Sequence, residues 1–340
     1  MRILIATGIY PPKTSGPAQY AQNMHDFWSK MGHKVWVETY GIENHLPTGV
    51  RHLWYFFKII PKVLKTDMVF GLDTFSVGFP ATLACKIFNK KIVIRTGGDF
   101  LWEGYVERTG DLVLLRDFYN TRMHNLSFKE KMILFLTKWT LNNVDLLVFS
   151  TRWQKDIFKK PYELDERKIS IIENHYERSH MNTLPTSLES GTKYFIAGTR
   201  PLKWKNITFL KKVFENEEIK SKEVVLDPSN APYKKFMEKM SRSYAVILVS
   251  LGDISPHMIL DAISLNKPFI VTEECGLLDR IGSVAITVNP KNEKDIKEKV
   301  SWLLDESNYV GQTKKIKNFS FTHTWKDIAQ EYENLFKKII

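Results

Sequence analysis

Short apolar runs alternate with amphipathic stretches along the whole chain, a pattern typical of buried β-strands separated by helices. In the first half the runs predict six strands, at residues 3–7, 34–38, 68–71, 92–95, 146–149 and 169–172. Helical periodicity falls between them, for example at 18–31, 81–88 and 129–142. Strands that alternate with helices form parallel sheets with crossover helices. The pattern therefore predicts an α/β fold.

The same alternation recurs in the second half. It predicts strands at 194–197, 223–226, 246–249, 269–272 and 285–288, with helices at 206–215, 233–240, 258–264 and 296–304. The polar stretch 181–191 has the composition of a domain linker. We predict two Rossmann-like parallel-sheet domains, at 1–180 and 192–322. A closing helix within 323–340 can pack on either half, and packing back on the N-terminal domain is one option.

Length and composition agree with two domains. The chain has 340 residues, of which 43% are hydrophobic, so each half can bury its own core. No segment approaches the run of about 18 apolar residues that spans a bilayer. Cys85 and Cys275 are far apart in sequence. Because residues 1–6 resemble a buried strand more than an export signal, we expect a cytoplasmic protein with reduced cysteines.

The net charge of +11 is unevenly distributed, because residues 51–100 carry eight Lys or Arg against three Asp. A basic surface attracts phosphate groups of nucleic acids, anionic lipids or diphosphate substrates. Within it, residues 52–65 mix aromatic residues with lysines, which fits either a membrane-interfacial helix or a crossover helix. We favour the crossover helix. No known nucleic-acid-binding module is visible, so nucleic acid is not expected as a partner.

The first candidate for chemistry is the loop at residues 7–18, where Gly16 precedes a predicted helix. Backbone N–H groups at a helix start can face an anion or a sugar hydroxyl. The spacing from Gly8 to Gly16 does not fit the dinucleotide motif G-x-G-x-x-G, and no Gly-Lys-Ser/Thr follows. An ordinary strand-to-helix turn is the alternative.

The second half offers two cations and two carboxylates. Arg200 and Lys205 flank a turn before a predicted helix, where two positive charges and a helix N-terminus suit a diphosphate. A solvated basic loop is the alternative. Asp253 follows a predicted strand, and Asp261 lies eight residues on, within the next helix. One carboxylate can reach a sugar hydroxyl and the other a ribose diol. Alternatively, Asp253 caps the helix and Asp261 faces solvent.

Taken in order, these segments resemble the family-4 glycosyltransferases, a large retaining family with the GT-B architecture. Arg200 and Lys205 match the family's Arg-x4-Lys pair, which binds the donor diphosphate, and Asp253 and Asp261 match its Glu-x7-Glu element. Further segments are similar to the family's glycine loop, acceptor-side segments, domain end and closing helix: they are 7–18, 72–81, 95–103, 172–174 and 321–325.

The resemblance implies two domains facing across a cleft, and transfer of a sugar from a nucleotide diphosphate sugar to an acceptor hydroxyl with retention. It assigns catalysis to Asp253, Arg200, Lys205 and Asp99. It assigns donor binding to Arg200, Lys205, Asp253, Ile254, Ser255, Asp261 and Gly16. The acceptor-side residues that it implies are Ser15, Gly16, Asp99 and Asn174.

We expect no cofactor and no metal, because nine scattered histidines show no zinc-site spacing. The expected partners are a nucleotide sugar and a glycan or lipid-linked acceptor. Peripheral contact with the inner face of an anionic membrane is also expected. The chain departs from the family at both glutamates, which are Asp here, and it lacks a His near Gly98. A catalytically weakened sugar-nucleotide-binding protein is therefore one alternative. A sugar-nucleotide 2-epimerase of the same architecture is the other.

Overall fold

The computed structural model describes residues 1–13, 15–178, 191–198 and 200–340, with the side chain of Thr48 left out. The predicted linker 181–191 lies outside the described residues except for Gly191, and so does Thr199, which precedes Arg200. The chain divides into two compact units. The first comprises Met1–Leu101, Asn125–His175 and His323–Ile340, and the second comprises Trp102–His124 and Tyr176–Thr322.

Eleven strands are described, and each overlaps a strand that the apolar runs predict. They are β1 (Arg2–Thr7), β2 (Lys34–Thr39), β3 (Met68–Gly71), β4 (Lys91–Arg95), β5 (Leu146–Phe149), β6 (Ile169–Ile171), β7 (Lys193–Ile196), β8 (Val224–Asp227), β9 (Ala245–Leu248), β10 (Phe269–Thr272) and β11 (Ile286–Val288).

The helices between and after these strands include several that the periodicity did not predict. They are α1 (Gly16–Lys30), α2 (Thr48–Lys65), α3 (Gly78–Ile87), α4 (Phe100–Thr109), α5 (Leu115–Thr121), α6 (Phe128–Asn143), α7 (Arg152–Tyr162), α8 (Ile207–Glu215), α9 (Glu217–Lys220), α10 (Tyr233–Arg242), α11 (His257–Ser264), α12 (Leu278–Ile281), α13 (Glu293–Leu304), α14 (Glu306–Asn318) and α15 (Trp325–Ile339).

The first unit is built on a six-stranded parallel sheet with the order β2-β1-β3-β4-β5-β6. Every residue of β3 and β5 is buried. Strands covered on both faces need such unbroken apolar runs, because neither side of the sheet meets water. Strand β2 follows β1 in sequence and pairs with one side of it, whereas β3 pairs with the other side. The direction in which successive strands are added to the sheet therefore reverses at β1.

The second unit repeats this plan with five parallel strands in the order β11-β10-β9-β7-β8. Apolar clusters cover both faces of its sheet. Here the reversal lies between β7 and β9. In open α/β sheets, ligands bind beyond the carboxyl ends of the strands at such a reversal. The fold therefore singles out the loops that follow β7 and β9.

The closing helix α15 belongs to the first unit. Its buried residues Ile328, Ala329, Tyr332 and Phe336 join the core that contains Trp28. The indole N–H of Trp28 donates to the backbone oxygen of Ala329 at 3.3 Å. Thr324 and Asp327 form a capping box at the start of the helix, which satisfies backbone donors there.

Candidate functional site

The predicted donor residues lie in loops at one edge of the second sheet. The first loop, 197–206, follows β7, and the second, 249–256, follows β9. We call them the basic loop and the acidic loop. Because β7 and β9 are hydrogen-bonded parallel neighbours, both loops leave the sheet at the same edge. This placement explains how residues about fifty positions apart in sequence come into contact.

Lys205 and Asp253 form an ion pair between the two loops. The Nζ of Lys205 lies 2.5 Å from Oδ2 of Asp253, and the hydroxyl of Ser250 donates to the same oxygen at 3.2 Å. The ammonium also sits over the ring of Trp204, 4.2 Å from its centroid. Only 15% of the Lys205 side chain and 11% of the Asp253 side chain are exposed. The solvated-loop alternative is therefore wrong for Lys205.

Backbone hydrogen bonds hold Asp253 in place. Its N–H donates to the oxygen of Glu274 at 2.8 Å, and its own oxygen accepts from the N–H of Gly276 at 2.9 Å. The N-cap of α11 is Pro256. Asp253 is therefore not the helix cap, and that alternative interpretation of its carboxylate is wrong. The acidic loop is tied to the segment that follows β10, so the carboxylate is positioned from two strands.

Two buried polar atoms of these loops have no hydrogen-bond partner among the described residues. They are the hydroxyl oxygen of Ser255 and the indole nitrogen of Trp204. A buried donor or acceptor left unpaired costs about 1–3 kcal/mol. One atom belongs to each loop. Because neither atom is exposed, contact with a ligand would require the loops to move.

Asp261 lies on α11 and accepts a hydrogen bond from the hydroxyl of Tyr233 at 3.1 Å. Burial raises the pKa of the Asp261 carboxyl to about 6, and the bond from Tyr233 opposes the shift without cancelling it. Asp261 is therefore neither a plain solvent-facing residue nor fully ionised in mildly acidic solution. A ligand hydroxyl that donates to it would bind best where the carboxyl is ionised.

Arg200 is exposed, and its backbone oxygen accepts from the N–H of Leu202 at 2.7 Å. The chain then forms a single 3₁₀ turn at Lys203–Lys205. Asn206 follows in the left-handed conformation, at φ 60°, and α8 begins after it. The structure thus places Arg200 on the surface of the basic loop, while Lys205 points to Asp253.

A helical insert, Trp102–His124, packs on the two loops and was not predicted from the sequence. The N–H of Leu115 donates to the oxygen of Leu251 at 3.0 Å. The rings of Trp102 and Trp204 lie 5.5 Å apart. Gly252 is part of this packing, because a Cβ there would lie 2.6 Å from Cβ of Leu115. The insert therefore buttresses both loops within the second unit.

Arg116 on the insert forms an ion pair with the segment that follows β10. Its Nε lies 2.7 Å from the carboxylate of Glu274, which is only 1% exposed. Burial raises the pKa of Glu274, and the ion pair with Arg116 opposes that shift. Since the backbone of Glu274 holds Asp253, Arg116 acts on the acidic loop indirectly. The sequence offers one signal for Glu274, its position just after β10 at the same sheet edge, and none for Arg116.

In the first unit, Ser15 caps α1 by accepting from the N–H of Ala18 at 3.2 Å. Gly16 is the first residue of that helix, and a Cβ there would meet no described atom within 4 Å. The side-chain oxygen of Asn174 accepts from Arg95 at 2.5 Å, and the Arg95 guanidinium stacks over Tyr20. The predicted Asn174 is thus engaged within the protein.

Asp99, the remaining predicted residue, is buried, with 3% of its surface exposed. It lines a cavity of about 10 Å³ together with Thr74, Gly98 and Tyr162. A cavity of that size holds at most one water molecule and no sugar ring. A direct contact between Asp99 and an acceptor would therefore require the surrounding residues to move.

Within the described ranges, no group of three or more His, Cys, Asp or Glu side chains is arranged to hold a metal ion. Cys85 and Cys275 are both buried and free. None of the described helices is long and apolar enough to cross a membrane.

Comparison with solved structures finds glycosyltransferases that match nearly the whole chain. The glycosyltransferase WaaG, involved in lipopolysaccharide biosynthesis, is 12% identical, with a TM-score of 0.71 over 98% of this chain and 99% of its own. Anabaena HepE in complex with UDP-glucose is also 12% identical, with a TM-score of 0.69 over 99% and 100%. The chain has the GT-B fold.

Other GT-B structures agree over the full length. A trehalose-6-phosphate synthase studied for glycosyl transfer with retention is 10% identical, with a TM-score of 0.71 and complete coverage of both chains. No protein-family model and no curated protein matches the sequence. The GT-B fold accounts for the two parallel sheets of six and five strands. At such low identity, the site must be argued from its own residues.

Proposed function

We propose that the chain is a glycosyltransferase that moves a sugar from a nucleotide diphosphate sugar to an acceptor hydroxyl, with retention at the anomeric carbon. The bond from this carbon to the diphosphate breaks, and the acceptor oxygen bonds to the same carbon and loses its proton. UDP-glucose is bound by the similar HepE, which supports a nucleotide sugar as donor. A glycan or glycolipid acceptor fits the role of WaaG in lipopolysaccharide biosynthesis.

In the proposed reaction, each predicted site residue has a role. Arg200 and Lys205 neutralise the charge that develops on the departing diphosphate. Asp253, with the backbone of Ile254 and Ser255, holds the sugar. Asp261 accepts from the ribose. On the acceptor side, the proposed residues are Ser15, Gly16, Asp99 and Asn174.

The Lys205–Asp253 ion pair carries the proposal. It places a cation and a carboxylate, from two different loops, at the sheet edge where α/β folds bind ligands. A sugar diphosphate matches this set, because its phosphates need cations and its hydroxyls both donate and accept hydrogen bonds.

The ion pair suggests how donor binding prepares the site. In the structure, Lys205 and Asp253 satisfy each other at 2.5 Å. A diphosphate brought beside Lys205 would compete for the ammonium, because phosphate and carboxylate oxygens both accept charge-assisted hydrogen bonds. The carboxylate of Asp253 would then become free to accept from a sugar hydroxyl. Binding of the diphosphate and of the sugar would thus be coupled through one ion pair.

Turnover of UDP-, GDP- and ADP-sugars, with and without added glycan or glycolipid acceptors, tests the proposal. We expect nucleoside diphosphate to be released faster when a suitable acceptor is present. Tight donor binding without release under any condition would instead favour a sugar-nucleotide-binding protein. Interconversion of the donor with its 2-epimer would favour the epimerase.

Turnover should not require a divalent cation. Arg200 and Lys205 supply the positive charge that a metal would otherwise bring to the diphosphate, and the sequence contains no Asp-x-Asp segment to hold one. We expect full nucleoside diphosphate release after treatment with EDTA. A loss of activity that only Mn²⁺ or Mg²⁺ restores would contradict this assignment.

The affinity for a nucleotide sugar should increase between pH 5 and pH 7.5 because Asp261 has a pKa of about 6. A hydrogen bond to an ionised group contributes about 1.5–3 kcal/mol, and the ionised fraction of Asp261 rises by about tenfold over this range, so we expect a gain of about fivefold to tenfold. UDP-glucose suits the titration because its diphosphate is esterified at both ends. Asp261→Asn should flatten the profile, and an unchanged profile in that variant would exclude Asp261 from donor binding.

The same variant gives a readout that needs no ligand. Burial raises the pKa of Asp261, so the folded chain holds the proton more tightly than the unfolded chain. The stability that protonation provides is present at low pH and is lost as the pH rises through about 6. Asp261→Asn should therefore be more stable than the wild type at pH 8 and gain little at pH 4.

A further inference from the structure

Helix α2 is apolar on two opposite sides. One side faces the core, where Tyr55, Ile59 and Val63 are fully buried. The other side carries large apolar residues that are each between 49% and 61% exposed: Val50, Leu53, Trp54, Phe57 and Leu64. These positions recur at helical spacing, so they form one continuous stripe. A crossover helix accounts for the buried side and leaves the outer stripe unexplained.

Helix α6 of the same unit has a similar exposed row. Phe128, Met132 and Phe135 follow one another at intervals of four and three residues and are all exposed. Helix α3 lies between α2 and α6 and exposes Ile87 at its end. The rings of Phe79 on α3 and Trp139 on α6 lie 5.6 Å apart. We call the exposed apolar residues of these three helices the apolar face.

Folded proteins rarely leave contiguous apolar patches larger than a few hundred Å² in water, and larger ones mark sites of interaction. The apolar face combines a Trp, three Phe or Met residues on α6, and aliphatic residues on α2 and α3. Aromatic residues beside aliphatic ones are the composition found on helices that lie in a membrane interface.

The exposed charges on the helices of the apolar face are positive. Helices α2 and α3 contain no Asp or Glu, and the one carboxylate of α6, Glu130, is buried in a capping box. The exposed charged residues of these helices are lysines, namely Lys65, Lys86, Lys129 and Lys131. An exposed carboxylate next to α6, that of Glu163, is paired with Lys138 at 2.7 Å. A surface of apolar side chains with an excess of positive charge around it complements an anionic lipid surface.

The basic residues of α2 on their own would bind a membrane poorly. Lys58 pairs with Glu38 and Glu43, at 3.2 and 2.9 Å, and Lys62 pairs with Glu38 at 2.7 Å. Part of the positive charge counted in residues 51–100 is therefore neutralised within the protein. The exposed apolar stripe must then supply most of the binding free energy.

We propose that the apolar face is a membrane-docking surface, with α2 and α6 lying in the plane of an anionic bilayer. Trp54, Phe57 and Phe128 enter the boundary between headgroups and acyl chains, and the surrounding lysines contact lipid phosphates. Docking is a property of the first unit and does not depend on the proposed reaction. If both proposals hold, the enzyme would meet a lipid-linked acceptor at the membrane surface.

Vesicle flotation of the full-length chain tests the proposal. The vesicles are phosphatidylcholine alone or phosphatidylcholine with about one-third phosphatidylglycerol, which provides the anionic surface. We compare the wild type with Trp54→Ser/Phe57→Ser. The matched control is Trp302→Ser/Val310→Ser, which removes one aromatic and one aliphatic residue that are similarly exposed on α13 and α14 of the second unit.

We expect the wild type to float with the anionic vesicles and to remain largely bound when salt is raised. The α2 variant should lose about tenfold or more of its partitioning, because binding scales with the apolar area inserted. The control should bind like the wild type. Sedimentation without lipid then gives the oligomeric state of each protein.

Three results would overturn the proposal. The first is a wild type that does not float, and the second is a control that loses as much binding as the α2 variant. The third is a wild-type dimer that becomes monomeric in the α2 variant, because the face would then be covered by a second copy. Activity on a soluble acceptor is measured separately. If the α2 variant no longer floats but still turns over the soluble acceptor, docking has failed while the reaction has not.

Discussion

Lys205→Ala should reduce kcat/KM for the nucleotide sugar by about 10²–10³-fold, the scale expected when one group that stabilises developing charge is lost. The variant removes the cation proposed for the diphosphate. It also leaves the carboxylate of Asp253, with 11% of its side chain exposed, without its ion-pair partner. Steady-state kinetics and the free energy of unfolding are measured on the same preparation.

Two further variants separate the catalytic role of Lys205 from its structural one. Lys205→Ala/Asp253→Asn removes both charges of the pair, so stability should recover while turnover stays low. Lys211→Ala removes an exposed lysine from the neighbouring helix α8 and should leave turnover unchanged. If Lys205→Ala retains both nucleotide affinity and turnover, the lysine does not bind the diphosphate.

Gly252→Ala should have the second largest effect. Its new Cβ would lie 2.6 Å from Cβ of Leu115 and 3.2 Å from the ring of Trp102, so the insert or the acidic loop must shift. Overpacking of this kind costs about 1–3 kcal/mol. Because Asp253 follows directly, we also expect the affinity for the nucleotide sugar to fall by about tenfold. Urea unfolding and ligand titration measure the two effects.

Gly282→Ala is the matched control for this substitution. It lies in the same unit, has no described atom within 4 Å of the added Cβ, and adopts φ −54°, which alanine tolerates. It should change neither stability nor affinity appreciably. Equal behaviour of the two alanine variants would mean that the insert does not pack on the acidic loop as described.

The strands could be predicted from the sequence because parallel strands covered on both faces need unbroken apolar runs. The ranges predicted for β3, β5 and β10 match the structure at both ends. Helices were harder to place. The polar α14 carries only a few buried residues, and α7 contains Pro161, which ordinarily argues against a helix interior.

The site was predictable where it depends on strand order. Lys205 and Asp253 meet because β7 and β9 are neighbours, and both residues follow their strands closely. The contact of Arg116 with Glu274 joins positions 158 residues apart, and no local pattern indicates it. The same holds for Tyr233 and Asp261, which α10 and α11 bring together. Packing of the insert on the two loops is a tertiary property.

Ligand-induced stabilisation across UDP-, GDP- and ADP-sugars is the sharpest test of the donor site, because it requires no knowledge of the acceptor. A nucleotide sugar at 100 times its Kd should stabilise the wild type by about 2.7 kcal/mol. We expect at least one of them to do so, and we expect Lys205→Ala to abolish the effect while Lys211→Ala preserves it. If no nucleotide sugar stabilises the wild type, or if Lys205→Ala is stabilised equally, the proposed donor site is contradicted.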